Sequence, residues 1–206
     1  DGAAEHPTAL VQSAAMASVP PPVPTYCPVL PKSLVQDGLL SAAQLESVIY
    51  AGNAHETHLK GWFKRGEIEG QLMAASEDDE GAFRLRKGWF LGDGTGCGKG
   101  RQVAGIILDN WLQGRRRAVW VSKSDKLIED ARRDWMALGG RESDIVPLSK
   151  FRQGSDIRLP EGILFVTYAT LRSAERKGKA SRLDQVTSWL GEGFDGVIAF
   201  DESHAM

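Results

Sequence analysis

The chain has 206 residues, 42% of them apolar and 25% charged, with a net charge of −2, which suits one sizeable core in a single α/β domain with tails. That balance removes any global electrostatic pull toward nucleic acid. The longest apolar runs, such as "GILFVTYATL" at 162–171, fall well short of the roughly 20 residues that cross a bilayer, so no membrane segment is expected.

Cys27 and Cys97 are the only cysteines; they fit neither a disulfide framework nor metal-ligand spacing, which suggests a reducing compartment. The chain does not open with Met, and its first residues lack the basic flank and apolar core of a secretory signal. It reads as an excised piece. Seven of the nine prolines lie within residues 1–31, and "VPPPVP" (19–24) favours extended polyproline backbone. Residues 1–33 are therefore expected to be a flexible linker, with the folded part at 34–206.

From Ser41, Leu45, Val48 and Ile49 recur at helical spacing, and Ser41 with Gln44 matches a capping box, so a helix is predicted there. His55 and His58 read as a surface pair. Residues 61–87 carry the acidic "EDDE" and little periodicity, as expected of an irregular insertion or hairpin. From Lys87 onward the pattern is regular. Apolar "GWFLG" (88–92) predicts a strand, followed by a Gly-rich turn and a helix over 101–114 with Val103, Ile106, Ile107 and Trp111 at helical spacing. Further strands are predicted at 118–122, 144–149, 162–168 and 194–200, with helices at 124–140 and 181–190. Five strands separated mostly by helices predict a mainly parallel sheet flanked by helices.

In "DGTGCGKG" (93–100), Gly94, Gly96 and Gly98 would leave backbone amides free to face phosphate oxygens, with the positive end of the next helix behind them and Lys99 reaching the outer phosphates. A nucleoside-triphosphate hydrolase also needs carboxylates at the end of another strand. "GVIAFDES" (196–203) supplies Asp201 for Mg2+, directly or through water, and Glu202 for the attacking water. Gly100 stands where such loops usually place a Ser or Thr that ligates the metal. Arg101 either assists phosphate charge or faces outward from the helix. Cys97, inside the loop, either merely fills space or is a point where oxidation or alkylation would block phosphate entry.

Three stretches, "LSAAQLESVIYA", "FLGDGTGCGKGRQVAGIILDNWLQGRRRAVWVS" and "FDGVIAFDESHAM", together resemble the strawberry notch family, which is similar to superfamily-two helicases and Swi/Snf-type translocases. The resemblance runs from about residue 26 to the end. It implies a RecA-like P-loop NTPase lobe, truncated after the Walker B strand, that takes ATP and Mg2+. Asp93, Gly94, Thr95, Gly96, Cys97, Gly98 and Lys99 would form the Walker A loop, with Gly100 and Arg101 following as a family variant. Asp201, Glu202 and His204 would form Walker B, with His204 coupling nucleotide state to another lobe. Gln44 would read adenine or simply cap its helix. Ser122, Lys123, Thr167, Tyr168 and Arg172 would face a nucleic-acid backbone or serve as ordinary caps and strand ends; the run Arg115 to Arg117 reads as a solvated turn.

These expectations make the chain an ATP-hydrolysing lobe acting on nucleic acid, DNA before RNA, nearly inactive by itself because a second RecA-like lobe with its phosphate-stabilising arginines is missing. The alternative is a nucleotide-gated scaffold in transcriptional regulation that never translocates. A methyltransferase using the Gly-rich loop is disfavoured by Lys99 and the Asp-Glu pair. The expected location is the cytoplasm in a prokaryote or the nucleus in a eukaryote.

Overall fold

The computed structural model describes residues 2–68, 70–173 and 180–205. The elements in chain order are α1 (Ala14–Ala17), α2 (Lys32–Gln36), α3 (Ala42–His55), β1 (Trp62–Arg65), β2 (Leu72–Ala75), α4 (Lys99–Leu112), β3 (Arg117–Ser122), α5 (Ile128–Ala137), β4 (Ile145–Pro147), β5 (Gly162–Thr167), α6 (Tyr168–Leu171), α7 (Arg182–Leu190) and β6 (Val197–Phe200). The last four-residue strand leads into a short 3-10 turn at Ser203–Ala205.

The central sheet has the order β4-β5-β3-β6 and every pairing in it is parallel. Successive side chains on a strand face opposite sides of a sheet, and the core divides accordingly. Ala118, Trp120, Ile163 and Phe165 share one apolar cluster with Ile107 of α4 and Trp135 of α5. Val119, Val121, Leu164 and Val166 share the other with Val186 and Trp189 of α7. A sheet covered by helices on both faces explains why β3 and β5 are nearly continuous apolar runs rather than alternating ones. This is the α/β arrangement of a RecA-like P-loop lobe.

Helix starts follow local chemistry. Ser41 and Gln44 form the reciprocal capping box foreseen for α3, and Ser181 with Asp184 forms another for α7. α3 then packs on α4 through Val48, Ala51 and Ile106. Residues 61–87 contain the antiparallel hairpin β1-β2, with Phe63 also bridging Phe83.

Two expectations are corrected. "GWFLG" (88–92) forms no strand, so the parallel sheet has four members and not five. An apolar run becomes a strand only beside a backbone partner, and none of the described strands pairs with this run. Trp89, Phe90 and Leu91 instead line an apolar cleft of ≈300 Å³ against Val197–Phe200 of β6 and Val103 and Ile106 of α4. The second correction concerns the linker: residues 25–33 are strapped onto the domain. Asn53 Oδ1 accepts from the Thr25 and Tyr26 amides. Asp109, only 2% exposed, accepts from the Tyr26 hydroxyl and from the Val29 amide at 2.6 Å. A buried carboxylate needs such donors, and composition alone does not reveal them.

Candidate nucleotide site

α4 is 14 residues long, about 20 Å at 1.5 Å per residue. β3 begins five residues after α4 ends, and α4 lies along the sheet face, with Ala104, Ile107 and Leu108 in one cluster with Ala118 and Trp120 of β3, so its C-terminus meets the start of β3. The α4 N-terminus therefore lies at the edge where the parallel strands end, the edge on which open α/β sheets bind ligands. Asp201 follows β6 at that same edge, extending the ladder through its amide to the Val121 carbonyl at 2.8 Å. The apolar cleft has Leu91, Val103 and Ser203 in its wall, so the residues flanking the Gly-rich loop and the Asp-Glu pair share one lining.

The loop is held by three side chains. Gly98 caps α4 in the left-handed conformation, φ 71 and ψ 44, with no side-chain acceptor on the first amides. Those amides remain directed out of the helix end, where an anion is favoured. A Cβ on Gly98 would lie 2.4 Å from Gln44 Nε2, so a larger residue would have to displace the Gln44 amide as well as adopt a left-handed backbone. Lys99 Nζ donates to the Asp93 and Gly94 carbonyls at 3.0 and 3.1 Å, spanning the loop. Gln102 Nε2 donates to Asp93 Oδ2 at 2.8 Å and to the Cys97 carbonyl at 3.2 Å.

Gln44 occupies both of its ends. Its Oε1 accepts from the Ser41 amide at 3.1 Å, and its Nε2 donates to the Cys97 carbonyl at 3.3 Å. It caps α3 and ties that helix to the loop. Cys97 is half-buried, and its carbonyl serves both glutamines. Thr95 and Gly96 are exposed on the turn.

Gly100 has a packing explanation. A Cβ there would stand 2.2 Å from Asp134 Oδ2 on α5. Asp134 pairs with Arg101, Nε to Oδ1 at 3.4 Å, while burial pushes its carboxyl above the ordinary value despite that neighbour. Arg101 also donates to the Leu39 carbonyl at 2.9 Å. It is turned toward α5 and the α2–α3 connection, the outward of its two expected placements.

At the second motif, Ser122 Oγ donates to Asp201 Oδ2 at 3.1 Å and the Tyr168 hydroxyl donates to the Asp201 carbonyl at 2.9 Å. Burial, then the negative charges of Asp201 and Glu202, push the Tyr168 phenol above its ordinary value. Glu202, at φ 53, is the single non-glycine residue with positive φ among the described residues. Such a backbone costs about 1–3 kcal/mol and persists where its surroundings enforce it. Its Oε2 lies 3.4 Å from His204 Nδ1.

Three of the five residues expected to face nucleic acid have other roles. Ser122, Thr167 and Tyr168 are 0%, 5% and 5% exposed. Ser122 and Tyr168 position Asp201, and Thr167 caps α6 by accepting from the Thr170 amide. Side chains so deeply enclosed cannot reach a polymer backbone without opening the core. Lys123 and Arg172 are exposed.

Sequence reasoning missed Gln102 and Asp134. Gln102 carried one available signal: it lies three residues after Lys99, on the same side of α4, with Gly105 and Ile106 following on that side. Asp134 gave none, since its contact depends on how α5 crosses α4.

Residues 5–206 match the family model for the P-loop containing NTP hydrolase pore-1. The chain is similar to strawberry notch homolog 2 of Mus musculus, at 41% identity over 97% of this chain and 13% of that protein. It is also similar to FORGETTER 1 of Arabidopsis thaliana, at 36% over 97% and 14%, and to strawberry notch of Drosophila melanogaster, at 39% over 97% and 11%. The chain thus spans roughly an eighth of these relatives' length. No solved structure matches. No helix among the described residues is long and apolar enough to cross a membrane. With a glycine-capped helix behind Lys99, an Asp-Glu pair at the same sheet edge and the match over 5–206, the chain belongs to the P-loop NTP hydrolase family of the strawberry notch proteins.

Proposed function

We propose that this lobe binds and hydrolyses ATP with Mg2+ and drives a nucleic-acid-associated machine, with DNA as its polymer. The supporting observation is the convergence on one sheet edge of the α4 N-terminal loop and the Asp201-Glu202 pair. The first-turn amides of α4 and Lys99 would hold phosphate oxygens, Lys99 exchanging its two carbonyl partners for them. Asp201, fixed by Ser122 and Tyr168, would hold the metal, which when bound offsets charge on the transferred phosphoryl group. Glu202 would take the proton of the attacking water, and His204, at 3.4 Å, would sense whether that carboxylate is engaged.

Gln44 joins α3 to the loop and would read the base by exchanging Cys97 for adenine. Lys123 and Arg172 are the cations that support a polymer partner. Among the described residues Arg101 is turned away from the loop and Lys99 is the cation on it, so residues 1–206 by themselves are expected to bind ATP and turn it over negligibly.

The test is equilibrium ATP binding in the presence of Mg2+. Lys99→Ala should weaken binding at least about tenfold, the effect of losing roughly 1.4 kcal/mol, and Glu202→Gln should leave it unchanged. Equal affinity of Lys99→Ala and the unmodified protein would contradict the assignment. In the full-length protein, stimulation of turnover by DNA, reduced in Lys123→Ala and Arg172→Ala, would support the polymer; stimulation by RNA alone would refute the DNA choice.

A further inference from the structure

A second cluster of cations lies at the other end of α4. Asn110 is eleven residues past Lys99, about 16 Å along the helix axis. Around it, two adjoining clefts of ≈400 and ≈420 Å³ share His55, His58, Arg86 and Asn110 in their walls. Four parts of the chain build them. α3 ends at His55. His58 stands directly opposite Arg86 in a short antiparallel ladder, held by Leu59 N to Leu85 O at 2.7 Å and Lys87 N to Thr57 O at 2.9 Å. Arg115 comes from the turn before β3, and Asp195 from the turn before β6.

Charge in the two clefts opposes that of the chain. Arg84, Arg86, Lys87 and Arg115 meet Glu56 and Asp195, a surplus of two positive charges with both histidines neutral, in a chain of net charge −2. Asp195 is shared: its carboxylate pairs with Arg115 Nε at 2.8 Å, and its carbonyl accepts from Arg86 at 3.2 Å. Arg84 lies over the Trp62 ring, 5.9 Å from the centroid. His55 senses the excess. Its imidazole is held below the ordinary value by burial first and then by Arg86 and Arg115, with Asp109 opposing; Glu56 and Tyr26 line the near wall.

We infer that this cleft is a second anion site, for a phosphate or diphosphate group of a small molecule, distinct from the nucleotide loop. Arg86 and His58 line both clefts, while Lys87 lines one and Arg115 the other, a set of donors that suits an anion with several oxygens, as a phosphate or diphosphate offers. Volumes near 400 Å³ lie within the range of small-ligand pockets. The cations line two adjoining concavities joined at Arg86, which favours a small anion over a polymer.

The experiment is titration of the protein with pyrophosphate, followed by NMR of the histidine ring signals, with His55 assigned through His55→Gln. Pyrophosphate should raise the His55 pKa and saturate. Arg86→Gln should weaken that response at least about tenfold, Lys87→Gln less, and Lys99→Ala not at all, while Arg86→Lys keeps part of it and checks that the ladder survives. An unmoved His55 titration overturns the proposal. So does a response lost in Lys99→Ala but kept in Arg86→Gln, or binding of a single-stranded oligonucleotide where pyrophosphate fails. Because Lys99→Ala is an arm of this experiment, failure here is separable from failure of the ATP assignment.

Discussion

Gly100→Thr restores the hydroxyl that phosphate loops usually carry, yet it should damage this protein. The position is helical, with no positive φ, so backbone conformation does not oppose threonine. Space does: a Cβ would sit 2.2 Å from Asp134 Oδ2 and 3.3 Å from its Cγ, and the carboxylate must swing by over about 1 Å to restore ordinary contact. That movement disrupts the half-buried pair with Arg101 at 3.4 Å. Overpacking costs about 1–3 kcal/mol, while threonine regains only about 0.4 kcal/mol of helix propensity over glycine. The net loss is roughly 1–2 kcal/mol, or about 2–8 °C in Tm for a domain of this size. Thermal unfolding of Gly100→Thr, Asp134→Ala and the double variant measures it, and removing the Asp134 carboxylate should recover most of the loss as a coupling energy near 1 kcal/mol. An unchanged Tm, accompanied by a tenfold gain in Mg2+-dependent ATP affinity, would refute the packing account and show that the glycine impairs the loop.

Gln102→Ala frees Asp93 and the Cys97 carbonyl from their common donor; ATP affinity should fall about tenfold or more and Tm should drop by roughly 2–8 °C, from about 1–2 kcal/mol of lost hydrogen bonding. Tyr26→Phe removes a donor from buried Asp109, a hydroxyl whose burial and contact with Asp109 push its pKa up to about 12; a cost of about 1.5–3 kcal/mol, roughly 3–12 °C, should appear in thermal melts if the N-terminal strap is part of the fold. His55 titrates below its ordinary 6.5, so as pH falls the unfolded chain takes up its proton before the folded protein does. Its stabilising contribution is whole above about pH 6.5 and is lost as pH falls from there through the depressed folded value. His55→Gln should remove that part of the acid sensitivity, read from Tm against pH; an unchanged profile would count against the cationic surroundings of His55.

Legibility followed the range of the interactions. Capping boxes at Ser41 and Ser181 are complete within four residues, so both helix starts could be read directly. β3 and β5 were readable because strands buried on both faces announce themselves as apolar runs. "GWFLG" misled because composition reports a need for burial and does not say whether a backbone partner exists. The proline-rich start misled in the opposite way, since Tyr26 and Val29 are recruited by Asp109, 83 and 80 residues downstream. In the site, Lys99, Asp201 and Glu202 were visible as motif residues. Their supports were not: Ser122 and Tyr168 look like surface hydroxyls in sequence, and only the adjacency of β3, β5 and β6 turns them onto Asp201.

The central claim is that Glu202 acts on the water that attacks a triphosphate held at the α4 N-terminus. Steady-state phosphate release by the full-length protein, unmodified and with Glu202→Gln, alongside ATP affinity, tests this most directly. Turnover should fall by about 10²–10⁴, the usual scale for removing a general base, with affinity retained. Turnover equal to that of the unmodified protein would contradict it.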